Sequence, residues 1–200
     1  MPSNRNLKIL LFGGCIWYFA EGMFGPLVAI FTQQIGGDLL NVTWAWATYL
    51  MVAGLLFIVV GKFTDKYDNK EKIMVLGYAL NALFTFGYAF INSPHELIFV
   101  QAGLGVAAAL ATPTWNSLYA KYEDKGQDGY EWGIAGGSAM IITGISILIG
   151  GYIVEQTSFK VLFLIMGVIQ VIATLCQAKI LFYHKVDVFD TKPSRHSTVS

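Results

Sequence analysis

Glu21 stands within the run GGCIWYFAEGMFGPLVAIF, and no other charged residue lies so deep in an apolar stretch. A carboxyl group at such a depth costs ~3 kcal/mol on membrane-insertion scales, so it should face a bundle interior or a wet cavity. The chemistry open to it there is to take up and release a proton. The competing reading is a structural acid, hydrogen-bonded to a neighbouring helix. Steps of three and four residues put Gly14, Tyr18, Glu21, Gly25, Val28 and Thr32 along one helical face. A second run places Gln101, Ala108, Thr112, Trp115 and Tyr119 on one face, with Asn116 beside it. Tyr18, Gln101, Thr112, Trp115 and Asn116 offer the hydrogen bonds and aromatic walls of a small-molecule cavity. The same residue types also serve as polar glue between membrane helices.

These residues need long apolar elements to position them, and the composition supplies them. Of 200 residues, 55% are hydrophobic and 13% charged, about half the charge of an ordinary soluble domain, and mean hydropathy is +0.55. Six apolar runs can be drawn, at 7–32, 44–60, 73–91, 97–119, 132–154 and 159–183. Each is near the ~17–25 residues that cross a bilayer as a helix. None alternates polar and apolar residues as a barrel strand does. The fold class expected is therefore an all-α membrane protein of six transmembrane helices. The first run is expected to stay as a span rather than be a cleaved leader. Trp44, Trp46 and Trp132 fall at run ends, where an interfacial aromatic belt is expected.

The charges then fix an orientation. With six spans, twelve of the thirteen Lys and Arg residues fall on the side of the two termini, and only Lys160 falls on the other. Both termini are thus expected in the cytoplasm, in a multi-pass plasma (inner) membrane protein. The polar segment 184–200 reads as a disordered tail. A net charge of zero argues against a nucleic-acid partner. Cys15 and Cys176 both lie in apolar runs, which leaves no disulfide framework. His95, His184 and His196 lack metal-ligand spacing. With no phosphate-binding loop and no catalytic constellation, an enzyme, a metal and a cofactor are not expected. Asn41-Val42-Thr43 matches a glycosylation acceptor but lies too close to the next span to carry weight. Asn81 is polar in the third run, with no partner evident from the sequence.

The loop between the second and third runs, GKFTDKYDNKEK, is dense in charge. Such a loop can simply hold topology. Its order, however, resembles the loop signature of the major facilitator superfamily of secondary transporters: Gly, three residues, Asp, Arg or Lys, one residue, Gly, two basic residues. Gly61, Asp65, Lys66 and Lys70 match; Asp68 and Asn69 depart from it. The resemblance implies that Asp65 latches the inward side against the positive end of a helix from the other half, with Lys66 and Lys70 in support. It also implies two three-helix inverted repeats within one half, and two such halves in the whole transporter. Pro26 and Pro113 faintly echo such a repeat. Drug–proton antiporters of the family carry Gly-Pro-x-x-Gly-Gly in the fifth span. Here Ser146-Ile147-Leu148-Ile149-Gly150-Gly151 keeps only the paired glycines.

The function implied is secondary active transport of a small molecule by alternating access, proton-coupled through Glu21. The simplest way to complete the architecture is a homodimer. Gly54 and Gly61 on the second run, and Gly133, Gly137, Gly144 and Gly151 on the fifth, are the interface candidates, because small residues let backbones approach. Expected partners are a second copy or a related half, a small-molecule substrate and membrane lipid. The alternative is a membrane interaction or regulatory protein that pairs with another chain without transporting.

Overall fold

The computed structural model describes residues 4–64, 66, 69–124 and 126–182. Asp65 of the expected latch and the segment 184–200 lie outside the described residues. Among the described residues, seven α-helices run in the order α1 (Arg5–Gly22), α2 (Val28–Gln34), α3 (Leu39–Thr64), α4 (Lys70–Gly87), α5 (Pro94–Tyr122), α6 (Asp128–Gln156) and α7 (Phe159–Ala178). α1 and α2 form one span interrupted near its middle. Six stretches are long and apolar enough to cross a membrane: Arg5–Gln34, Leu39–Thr64, Lys70–Phe90, Pro94–Tyr122, Asp128–Gln156 and Phe159–Phe182. The helices run past the apolar cores drawn from the sequence because polar caps prolong them. Asn4 accepts from the Asn6 amide at 2.9 Å. Asp38 and Asn41 cap α3 reciprocally, each side-chain oxygen accepting from the other's backbone N–H at 2.9 Å. A buried helix end without such partners would leave N–H groups unpaired.

The interruption in the first span has a local cause. Pro26 lacks an N–H and opens a 3-10 turn at Gly25–Leu27. Just before it, the Met23 and Phe24 amides reach only three residues back, to the carbonyls of Ala20 and Glu21. Pro113 behaves differently, because α5 continues through it. There the Thr114 hydroxyl donates within its own helix, to the carbonyls of Leu110 and Ala111.

Helix starts reveal an internal repeat. Arg5, Leu39 and Lys70 each open a span, and Pro94, Asp128 and Phe159 do so 89 residues later in every case. Packing follows the same rule. α5 sits against α3 and α4, α1 against α6 and α7, and α4 against α7. Exchanging the first three spans for the last three leaves that set of neighbours unchanged. Because successive spans reverse direction, units three spans apart point opposite ways, so the repeat is inverted. Pro26 and Pro113 are out of its register by two residues.

The core has two apolar clusters. Leu7, Leu10, Met74, Tyr78, Ala111, Leu118, Tyr119, Ala173 and Ile180 fill the end holding the termini. At the other end, Phe24, Phe31, Tyr88, Phe159 and Phe163 stack around Met23, Leu162 and Met166, with Phe24 lying 5.0 Å from both Tyr88 and Phe163. Along the first, third and sixth spans, Glu21, Asn81 and Gln170 each fall between a member of one cluster and a member of the other. The fold thus places a polar layer at mid-span.

Candidate functional site

Glu21 anchors that layer. It is the last residue but one of α1, just before the helix breaks. Asn81 of α4 donates Nδ2 to Glu21 Oε1 at 2.8 Å, and Gln170 of α7 donates Nε2 to the same oxygen at 3.0 Å. Gln170 Nε2 also reaches the Trp17 carbonyl at 3.5 Å. Asn81 and Gln170 are buried. Asn81, without a partner in the sequence reading, is therefore a direct partner of the carboxyl, and Gln170 was not anticipated at all.

A cavity of about 360 Å³ opens beside them. Trp17, Tyr18, Phe24, Trp46, Tyr49 and Tyr88 give it aromatic walls, Gln101, Thr85 and Thr143 add polar groups, and Glu21 is the one charged residue among the described lining residues. Of the expected small-molecule contacts, Tyr18 and Gln101 belong to this cavity. Thr112, Trp115 and Asn116 line an adjoining pocket of about 60 Å³ with Gly14 and Tyr78, and Tyr18 borders both. The five residues thus divide between two neighbouring spaces that share Trp17 and Tyr18. The Trp115 indole N–H is engaged with the Leu10 carbonyl at 3.2 Å, so Trp115 presents its face rather than its donor. Thr32 turns away; it is buried and bonds its own helix at Val28 O, 2.8 Å.

Two of the tryptophans at run ends have further contacts. Trp46 lines the large cavity. Trp132 packs against Tyr119 at 4.7 Å between ring centroids and donates to Glu123 at 2.9 Å. Trp44, Trp46 and Trp132 all remain exposed, at 59%, 55% and 39%. Near Trp132 the sequence also hid a fully buried acid. Glu131 accepts from the Asp124 amide at 3.0 Å through Oε2, while its Oε1 has no hydrogen-bond partner.

The loop residues of the latch signature can be placed in part. Lys70 Nζ donates to Ser117 Oγ of α5 at 2.7 Å, and Lys66 is exposed in the turn after α3. An alanine Cβ built at Gly61 meets nothing within 4 Å, and the same holds at Gly54, Gly133, Gly137, Gly144 and Gly151. The interface candidates therefore play no packing role within the chain. The opposite face of α6 does. There Gly150 lies against the backbone of Met23, and Gly22 of α1 lies against Ser146 and Thr143. These reciprocal contacts bring α1 and α6 together backbone to backbone, beside Glu21. On the outward faces, Leu50, Met51, Leu55 and Ile58 of α3 and Met140, Ile141, Ile145 and Leu148 of α6 are exposed, as befits lipid or another membrane chain.

Fold and site together define a multi-pass membrane protein: six spans in an inverted repeat, with an acid in an aromatic cavity at mid-span. The family model described as Major Facilitator Superfamily matches residues 10–198, and the chain belongs to that superfamily. Among its relatives, the multi-drug resistance efflux pump PmrA of Streptococcus pneumoniae is 26% identical over 181 residues, covering 87% of this chain and 45% of PmrA. The multidrug resistance protein MdtG of Salmonella typhimurium is 23% identical over 121 residues, 58% of this chain and 30% of MdtG. An uncharacterised MFS-type transporter of Mycobacterium tuberculosis is 22% identical over 181 residues, 88% of this chain and 31% of that protein. The chain thus spans about half the length of PmrA or less of the curated relatives it matches.

Proposed function

We propose that this chain is a half of a secondary active transporter for a small molecule, working by alternating access and coupled to protons through Glu21. Two copies pair about a two-fold axis, each supplying one half of the transport path. The observation that carries the reading is a single carboxyl group set in the wall of a mid-span aromatic cavity. A mid-membrane acid is costly and is kept where it serves an ion or substrate path. Acid and aromatic walls together suit a neutral, cationic or aromatic substrate, since aromatic faces attract cations and the acid repels anions. The relatives named for multidrug efflux support the same breadth.

Pairing is supported by the open glycine stripes on α3 and α6. A related half in place of a second copy would satisfy the same faces. The excess of Lys and Arg on one side supports cytoplasmic termini in the plasma membrane. Gly61, Asp65, Lys66 and Lys70 act as the inward latch.

The test is proton movement in proteoliposomes loaded with a pH-sensitive dye, driven by gradients of lipophilic cations or neutral aromatics. The wild-type chain should couple proton and solute movement, and Glu21→Gln should abolish the proton component. A Glu21→Gln chain that still moves protons with solute would sink the coupling assignment. Single-molecule photobleaching in bilayers should count two copies per particle. A count of one would direct the search to a different partner chain.

A further inference from the structure

We infer that Asn81 and Gln170 are positioning residues that clamp the Glu21 carboxyl by Oε1 and leave Oε2 as the atom that exchanges the proton with the cavity. The inference rests on the proton-coupling reading above and specifies which atom carries it out.

The geometry is one-sided. Both amides donate to Oε1, at 2.8 and 3.0 Å. Among the described residues nothing donates to Oε2, and Oε2 is absent from the set of buried side-chain oxygens without a partner. Since Glu21 lines the 360 Å³ cavity, that second oxygen is the one that meets it. The direction of the Gln170 amide is dictated by its neighbours. Its NH₂ lies beside two acceptors, the Trp17 carbonyl and Glu21 Oε1. Turned over, it would set carbonyl against carbonyl. Its own carbonyl oxygen is buried without a partner, so the orientation is held even at the expense of an acceptor. A proton on Oε1 would collide with two donors. A proton on Oε2 leaves both hydrogen bonds intact, with Oε1 as the carbonyl oxygen of the acid.

The two amides are also counterparts. Asn81 is eleven residues beyond the start of α4, and Gln170 is eleven beyond the start of α7, the repeat-equivalent helix. The inverted repeat therefore delivers one donor from each unit to a single acid. The position equivalent to Glu21, 89 residues on, is Leu110, so the clamp has only one carboxyl to hold. The titratable groups facing the site are the phenols of Tyr18 on α1, Tyr49 on α3 and Tyr88 after α4; the α5, α6 and α7 residues of the cavity wall carry none.

The test is infrared difference titration of the full chain in lipid nanodiscs, which needs no substrate. The Glu21 band is the one lost in Glu21→Gln. Asn81→Leu and Gln170→Met keep side-chain volume and remove the donor, and either suffices if the other fails to fold. Each should move the Glu21 midpoint by about one pH unit, in the same direction, because a hydrogen bond to a charged group is of that size. Each should also raise the stretching frequency of the protonated carboxyl, since its C=O is Oε1 and has lost a donor. Gln170→Asn, which keeps a shorter amide, should recover part of both shifts. A Glu21 that titrates with midpoint and band indifferent to both substitutions overturns the clamp and leaves the coupling reading standing. A Glu21 that takes up no proton between pH 4 and pH 10 overturns both.

Discussion

Gly150 and Gly151 are neighbours in one helix, yet replacing each with alanine should have opposite effects. A Cβ at Gly150 would strike the Met23 carbonyl oxygen and come within 2.7 Å of both Met23 C and Cα. These are backbone atoms at the break of the first span, so no side chain can swing aside to relieve the clash. Forcing a methyl group into packed structure costs ~1–3 kcal/mol, and the rigid neighbour places Gly150→Ala near the upper end. Removing a glycine from a helix interior returns ~0.5–1 kcal/mol, which leaves a net loss of about 2 kcal/mol. A Cβ at Gly151 meets nothing within 4 Å, so only the helix gain remains. The two variants should differ by about 3 kcal/mol, which for a chain of this size corresponds to roughly 6–12 °C in Tm. The measurement is thermal unfolding in detergent at low protein concentration, followed by tryptophan fluorescence. Equal midpoints for Gly150→Ala and Gly151→Ala would refute the claim that α1 and α6 touch through their backbones at this point.

Other expectations are briefer. Gly137→Leu or Gly144→Leu should lower the fraction of paired particles in bilayer photobleaching without lowering the unfolding midpoint of the chain, since the helix gain is kept; an unaltered count would remove α6 from the interface. Gln177→Leu removes hydrogen bonds from Nε2 to the Leu10 carbonyl at 3.2 Å and to Tyr78 Oη at 3.1 Å. Interhelical polar contacts in membranes average below 1 kcal/mol, so this pair should contribute about 1 kcal/mol in chemical denaturation. A loss above about 3 kcal/mol would show that Gln177 does more than link α7 to α1. Lys70→Met should weaken the tie to Ser117 and lower stability by ~1 kcal/mol, and an unchanged denaturation curve would count against that tie.

The spans were readable because a bilayer imposes one demand on every residue it touches, and hydropathy records that demand directly. Glu21 was readable for the converse reason: an acid in such a run must have a purpose or a partner. Which partner it had was not legible. Asn81 and Gln170 are ordinary polar residues in apolar helices, and only the crossing of α1, α4 and α7 brings them to one oxygen. The 89-residue spacing that relates them was present in the numbering, but side chains do not repeat with it, as Glu21 and Leu110 show. It emerges only when helix starts are known. The prolines misled for a related reason, since a proline marks a weak place without saying whether the helix breaks there, as at Pro26, or runs on, as at Pro113. Trp46 and Trp132 looked like interfacial anchors because apolar runs end near them. The helices continue to Leu39 and Asp128, and both rings, still exposed, also meet a cavity and a loop acid that the sequence did not show. The glycines of α6 divided cleanly only in three dimensions, where Gly150 is packed and Gly137, Gly144 and Gly151 are bare.

The bare and packed faces of α6 bear on leakage as well as assembly. Under the proton-coupling proposal, an acid halfway across a membrane is a hazard if water reaches it from both sides at once, because a proton gradient would drain through it. Where Gly22 meets Ser146 and Gly150 meets Met23, the gap between α1 and α6 is narrower than a water molecule. The helix pair beside Glu21 therefore acts as insulation. At this level of the bundle, access to the carboxyl is left to the cavity that Glu21 lines.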